Sequence, residues 1–158
     1  MSIADRLREL LKERDAAHEV LEHPEAYTAQ EEAAATHTPG RNWAKTVAVR
    51  LDGDPALLIL PAHRRVNLDR LIESTGCGEA ELLTEEEMTR LYPDCETGSM
   101  PPFGHLYDQE TFVDESLRED EYVVFHAGDH RTAVKMPYGV YEELAAPVPL
   151  FFSEEASV

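Results

Sequence analysis

The run WAKTVAVRLDGDPALLIL, from Trp43 to Leu60, decides how this chain is read. Two apolar, partly β-branched segments, Trp43 to Leu51 and Ala56 to Leu60, flank Asp52-Gly53-Asp54. Asp and Gly tolerate the positive φ that tight hairpin turns demand, so the pattern predicts an antiparallel hairpin. Side chains alternate across a strand, which puts Lys45, Val47, Val49 and Leu51 on one face. Ala44, Thr46, Ala48 and Arg50 take the other. Lys45 thus lines up with the more apolar side. Such a lysine either snorkels out at the strand end or faces a cavity, where its ammonium holds a phosphate or carboxylate as a point charge. Periodicity by itself favours the ordinary strand-end lysine.

On the N-terminal side, Ile3, Leu7, Leu10 and Leu11 recur at helical spacing and predict an amphipathic helix. His18 to Leu21 suits a short strand. Thr28-Ala-Gln-Glu31 is a capping box, starting a short helix through the alanines that Pro39-Gly40 ends. On the C-terminal side, Asn67 can cap a helix through Ile72, and Thr84 to Glu87 is a second capping box leading to Leu91. A Gly/Pro loop runs from Pro93 to Gly104. Glu121 to His126 and Arg131 to Met136 predict a second hairpin, and Pro137 suits the first position of a last helix with Tyr138, Tyr141 and Leu144. Strands and helices mix without regular βαβ alternation. The expected fold is one α/β domain over residues 1–152, with a mixed sheet flanked by helices and a flexible tail from Ser153 to Val158.

The chain has 158 residues and a net charge of −18. That length supports one core without metal or disulfide staples. The acidic residues are spread along the chain, which argues against strong non-specific binding to RNA or membrane but leaves room for a local basic pocket. A generally acidic surface also fits adaptation to high salt. No run of about 18 apolar residues is present, so no membrane-spanning helix is expected. The charged opening MSIADRLRELLKER lacks the apolar core of a signal peptide. Cys77 and Cys95 lack metal-type spacing and fit reduced thiols of a cytoplasmic protein.

Two further segments can carry chemistry. In Glu96-Thr-Gly-Ser-Met-Pro-Pro-Phe-Gly104 the glycines let backbone amides approach a ligand and the prolines stiffen the loop. Such a loop can aim N–H groups at a developing oxyanion, or simply be a surface turn. In His126-Ala-Gly-Asp-His130 two imidazoles and a carboxylate surround a tight turn. The spacing offers no further ligand, so a pocket rim or a plain hairpin turn is favoured over a metal site. His63-Arg64-Arg65 is the densest basic cluster, suited to phosphate contact or to a solvated sheet end.

Taken in order, these segments resemble the YbaK/prolyl-tRNA synthetase-associated editing domain family. The resemblance spans roughly residues 15 to 146 and runs through His23-Pro-Glu-Ala-Tyr-Thr28, Ala44-Lys-Thr-Val-Ala-Val49, Leu60 to Leu68, Gly98 to Gly104, Phe112 to Leu117 and Phe125 to His130. It implies a compact α/β fold with a mixed, barrel-like sheet, and a trans-acting deacylase that hydrolyses the ester of mischarged tRNA. Lys45 matches the family's signature lysine, associated with the acceptor end of the tRNA. Gly98, Ser99, Met100, Pro101 and Pro102 match its Gly-x-x-x-Pro loop, which lines the aminoacyl pocket. Tyr27, Thr28, Phe103, Gly104, Asp114, Gly128 and His130 are carried over as pocket neighbours, although His126 and Asp129 stand where neutral residues are expected. The resemblance implies no cofactor and no metal; the partner is the aminoacylated tRNA end, with a synthetase as a second candidate. A non-catalytic module binding tRNA or a synthetase is the alternative, and hydrolysis of a small non-RNA ester a third.

Overall fold

The computed structural model describes residues 4–26 and 28–156. Helix α1 (Asp5–Glu13) leads to strand β1 (Glu19–Glu22) and helix α2 (Ala29–Ala35). A 3-10 turn precedes β2 (Ala44–Leu51) and β3 (Asp54–Pro61), followed by β4 (Arg64–Val66) and α3 (Leu68–Thr75). Then come β5 (Ala80–Leu82), α4 (Glu85–Leu91), β6 (Glu110–Asp114), β7 (Tyr122–His126) and β8 (Thr132–Pro137). The described chain closes with α5 (Tyr138–Ala145), β9 (Val148–Leu150) and β10 (Ser153–Glu155).

The Trp43–Leu60 hairpin forms as its sequence predicts. Leu51 lies opposite Asp54, and Asp52 and Gly53 turn the chain with φ of 49° and 92°. Two positive φ values in succession match the right-handed twist of the strands they join. The hairpin is the middle of a five-stranded sheet of order β5-β2-β3-β6-β9. Its β2 pairings are antiparallel, whereas β3 with β6 and β6 with β9 are parallel. A second sheet, β1-β8-β7, meets it at the Trp43–Val124 bridge. The mixed α/β domain is thus as expected; the strands pair in separate sheets rather than in one closed barrel.

Leu57, Leu58, Ile59 and Leu60 are fully buried on both faces of β3. Leu57 and Ile59 join the main core with Leu7, Leu11 and Tyr141, while Leu58 and Leu60 join a second core with Leu71 and Phe152. Each such side chain contributes about 2 kcal/mol relative to exposure, which anchors the start of β2 where Lys45 sits. Both capping boxes form, at Thr28/Glu31 and Thr84/Glu87. Asn67 caps α3, which runs past Ile72 to Thr75, where Gly76 takes a left-handed conformation. Pro137 lies one position before α5 rather than within it.

One expectation is corrected. Ser153 to Glu155 do not belong to a loose tail: they form β10, antiparallel to β4, and Ser153 is buried. Two of their neighbours, Phe152 and Asp114, hold them in place, as described below. Strands β4, β5, β9 and β10 have three residues each, too few for a period-two signal.

Gly104 is sterically required. A Cβ there would meet Thr111 Oγ1 at 2.5 Å and the carbonyls of Gln109 and Glu110 at 2.7 and 2.9 Å. Two of these are backbone atoms that cannot swing away. Gly104→Ala is expected to cost about 3 kcal/mol, read as a lowered midpoint in urea with unchanged slope.

Candidate active site

Lys45 pairs with Leu60 across the hairpin at the first turn of β2. Its Nζ donates to the Arg64 carbonyl at 2.6 Å, and its partial burial lowers its pKa below the ordinary lysine range. Arg64 separates two clefts of about 560 and 520 Å³ that share Arg64, Ser116 and Glu119. Arg70 and Arg118 line the first, and Arg41 and His63 the second. Together with Lys45, four arginines of a chain with only 14 lysines and arginines gather on this side. Asp114, Glu115, Glu119, Asp120 and Glu121 line the same clefts and Arg118 pairs with Glu115 and Glu142, so the region is of mixed charge.

The Gly98–Pro102 loop is fastened to the 126–130 turn. Gly128 N donates to Ser99 O at 3.1 Å, and Glu96 N to Gly128 O at 2.8 Å. The Glu96 carboxylate accepts from His130 N at 2.9 Å, and His130 Nε2 donates to Thr97 O at 3.1 Å. Ser99 spends both its amide and its hydroxyl on Glu96 O. Prolines 101 and 102 have no N–H, and among the described residues the Gly98 and Met100 amides have no backbone partner. The Met100 side chain fills the main core instead of a pocket. Phe103 is fully buried against Phe125 and Tyr141, with ring centroids 5.4 and 5.3 Å away. Tyr141 donates its hydroxyl to Pro102 O at 2.8 Å.

The loop and Lys45 belong to different surroundings. Ala44 and Ala48 share the main core with Met100, whereas Val47 and Val49 line the second core. Strand alternation puts Lys45 on the side of β2 that carries Val47 and Val49.

Among the other expected site residues, Thr28 is exposed and its hydroxyl caps α2. Tyr27 lies outside the described residues. Asp114 lines the first cleft, but its carboxylate accepts from Phe152 N, Ser153 N and Ser116. Gly128 has a φ of 116°, and a Cβ there would lie 2.9 Å from Ala4 N.

Behind the loop the structure assembles a group that spacing alone did not suggest. Glu32 of α2 is fully buried, with Oε2 2.7 Å from His23 Nε2 and Oε1 3.3 Å from His126 Nδ1 and 3.9 Å from His130 Nδ1. Burial, reinforced by the neighbouring Asp129 and Glu31 charges, pushes Glu32 up to about 8. Burial and the adjacent His130 push His126 down to about 4. Trp43 packs edge-on to His126 at 5.3 Å. Asp129 instead closes the turn, accepting from the Arg131 and Thr132 amides. One sequence signal points to Glu32. It falls on the same helical stripe as Ala29 and Ala33, which face the interior.

The fold and this site define a mixed α/β domain in which a half-buried lysine bonds the backbone of Arg64, between two clefts of mixed charge, and a Gly/Pro loop is braced by a histidine turn. The sequence model described as aminoacyl-tRNA editing domain matches residues 23–144. The chain belongs to that family. Among solved structures, it is similar to a candidate trans-editing enzyme for prolyl tRNA synthetase, with a TM-score of 0.85, 22% identity and 98% of each chain covered. It is equally similar, at TM-score 0.85 and 21% identity, to the hypothetical protein APE2540, covering 95% of this chain and 100% of that one. A scaffold used for computational epitope grafting also matches at TM-score 0.85 and 22% identity, with 99% of both chains covered. At these identities the likeness establishes the fold. No curated protein matches the chain. Among the described residues no helix is long and apolar enough to cross a membrane.

Proposed function

We propose that this protein is a trans-acting, cytoplasmic deacylase that hydrolyses the ester of mischarged aminoacyl-tRNA. What supports this reading is Lys45, which matches the family's signature lysine and bonds the backbone of Arg64, a residue lining two clefts that also hold Arg41, Arg70 and Arg118. The lysine and its neighbouring arginines take the phosphate or ribose of the terminal nucleotide. The Gly98 and Met100 amides stabilise the carbonyl oxygen as negative charge develops on it. Water adds to the ester carbonyl and the carbon–oxygen bond to the ribose breaks. The ribose oxygen leaves with a proton and the amino acid is released as a carboxylic acid. No protein base is assigned; the ribose hydroxyl of the substrate orients the water, and positioning supplies most of the acceleration. Pocket size selects the amino acid.

The charge of −18 favours one second reading, a module that binds a synthetase and relies on that partner's basic surface to reach tRNA. A panel of mischarged tRNAs incubated with the protein, alone and with synthetases, separates the two. Release of the amino acid by the protein alone supports hydrolysis in trans. No turnover on any tRNA, together with retention of a synthetase in pull-downs, overturns it in favour of the binding module.

A further inference from the structure

The buried group around Glu32 has a donor arrangement that its own hydrogen bonds define. His23 Nδ1 lies 2.7 Å from the Pro24 carbonyl, and His130 Nε2 lies 3.1 Å from the Thr97 carbonyl. A carbonyl only accepts, so each of these nitrogens carries a proton. In the neutral rings, His23 Nε2 and His130 Nδ1 then present lone pairs, and both face the Glu32 carboxylate. Oxygen and nitrogen lone pairs held this close in a dry interior need a proton or a metal ion between them. Ring N–H groups given to backbone carbonyls, with the opposite nitrogens turned inward, are the arrangement that orients histidine ligands around a metal.

The geometry is of the right size. One ligand atom each from Glu32, His126 and His130 lie within 4.8 Å of one another, and all three residues are buried. Zinc bonds of about 2.0–2.2 Å place tetrahedral ligand atoms about 3.4 Å apart. The 3.3 and 3.9 Å separations from Glu32 Oε1 bracket that value. Two imidazoles and one carboxylate suit a borderline transition metal, not calcium or magnesium, which take oxygen ligands. Trp43, which packs edge-on to His126, belongs to a buried apolar cluster with Ala33, Val124 and Ala133.

We propose that Glu32, His126 and His130 bind a divalent transition-metal ion of the zinc class, with His23 as a positioning residue on the second carboxylate oxygen. The ion joins α2 to the turn after β7 and, through the His130–Thr97 hydrogen bond, braces the Gly98–Pro102 loop. This inference does not depend on the deacylase reading, and its test requires no activity.

Tag-free protein, stripped with a chelator and dialysed against Co2+, is expected to retain one ion per chain. The visible d–d bands of a four-coordinate site should appear and then disappear on addition of Zn2+. Glu32→Gln and His126→Asn should abolish the bands, His23→Ala should weaken uptake roughly 10–100-fold, and the exposed His37→Ala should leave it unchanged. Zn2+ should also raise the thermal midpoint of the wild-type protein, a readout that stands if a ligand variant fails to fold. Wild-type protein that stays folded, takes up no Co2+ or Zn2+ and melts at the same temperature with either would overturn the proposal. The group would then be a histidine–carboxylate cluster held together by protons.

Discussion

Lys45→Ala is expected to lower the deacylation rate at least about 100-fold, or some 2.7 kcal/mol of transition-state stabilisation, while the protein stays folded. Lys45 supplies a charged anchor beside the clefts, and a substrate end held loosely loses its alignment with the loop amides. The Lys45 side chain is half-buried and makes one hydrogen bond, to the Arg64 carbonyl, while its desolvation is unfavourable. Removing it should change stability by about 1 kcal/mol. Lys45→Arg should not restore the rate, because a planar guanidinium does not replace a compact ammonium there. Because burial lowers the Lys45 pKa, the alkaline limb of the rate profile should lie below the ordinary lysine range of about 10.4. Single-turnover deacylation beside a thermal melt checks all of this; a folded alanine variant with wild-type rate would remove Lys45 from the site.

Asp114→Ala is expected to destabilise the protein by about 3 kcal/mol or more, a fall in midpoint on the order of 10 °C for a domain of this size. Its Oδ1 accepts from the Phe152 and Ser153 amides, both at 3.0 Å, and Oδ2 from the Ser116 amide at 3.2 Å and hydroxyl at 2.5 Å. Alanine would leave buried amides without an acceptor. Burial raises the carboxyl pKa, but the Ser116, Phe152 and Ser153 hydrogen bonds outweigh it and hold it below the usual carboxylate range. A depressed folded-state value means that the unfolded chain takes up the proton first as pH falls. The contribution is therefore fully present above about pH 4 and is lost as pH drops through the folded-state value. The alanine variant's deficit relative to wild type should accordingly shrink in strong acid. An equal deficit at neutral and acid pH would show that packing, not the carboxylate, was removed.

The same residue connects stability to the site. Asp114 fixes Phe152 and Ser153; Ser153 pairs β10 with β4 and binds the Arg64 side chain through its hydroxyl at 2.6 Å. The Arg64 carbonyl in turn holds Lys45. Asp114→Ala should therefore reduce activity as well, through Lys45 placement. Asp114 is better described by this clamp than by direct contact with the substrate.

Much of this was legible in the sequence because it depends on neighbours along the chain. The Asp52-Gly53 turn, the two capping boxes and the Asn67 cap are local devices, each set by a few dihedrals or one hydrogen bond within three residues. The motif order, with Lys45 and Gly98–Pro102 in it, was visible for the same reason. The three-residue strands were not, since their pairing partners lie far off: Ser153 to Glu155 read as a tail because nothing near them reveals Arg64 to Val66.

The sequence by itself determined the hairpin from Trp43 to Leu60 and put Lys45 at its start, since alternation and turn chemistry are properties of adjacent residues. Tertiary structure alone decided what that lysine meets, and it brought His23 and Glu32 to His126 and His130 across about a hundred residues of chain. Burying apolar faces fixes such meetings; the chemistry of the buried polar groups then depends on neighbours that no local pattern encodes.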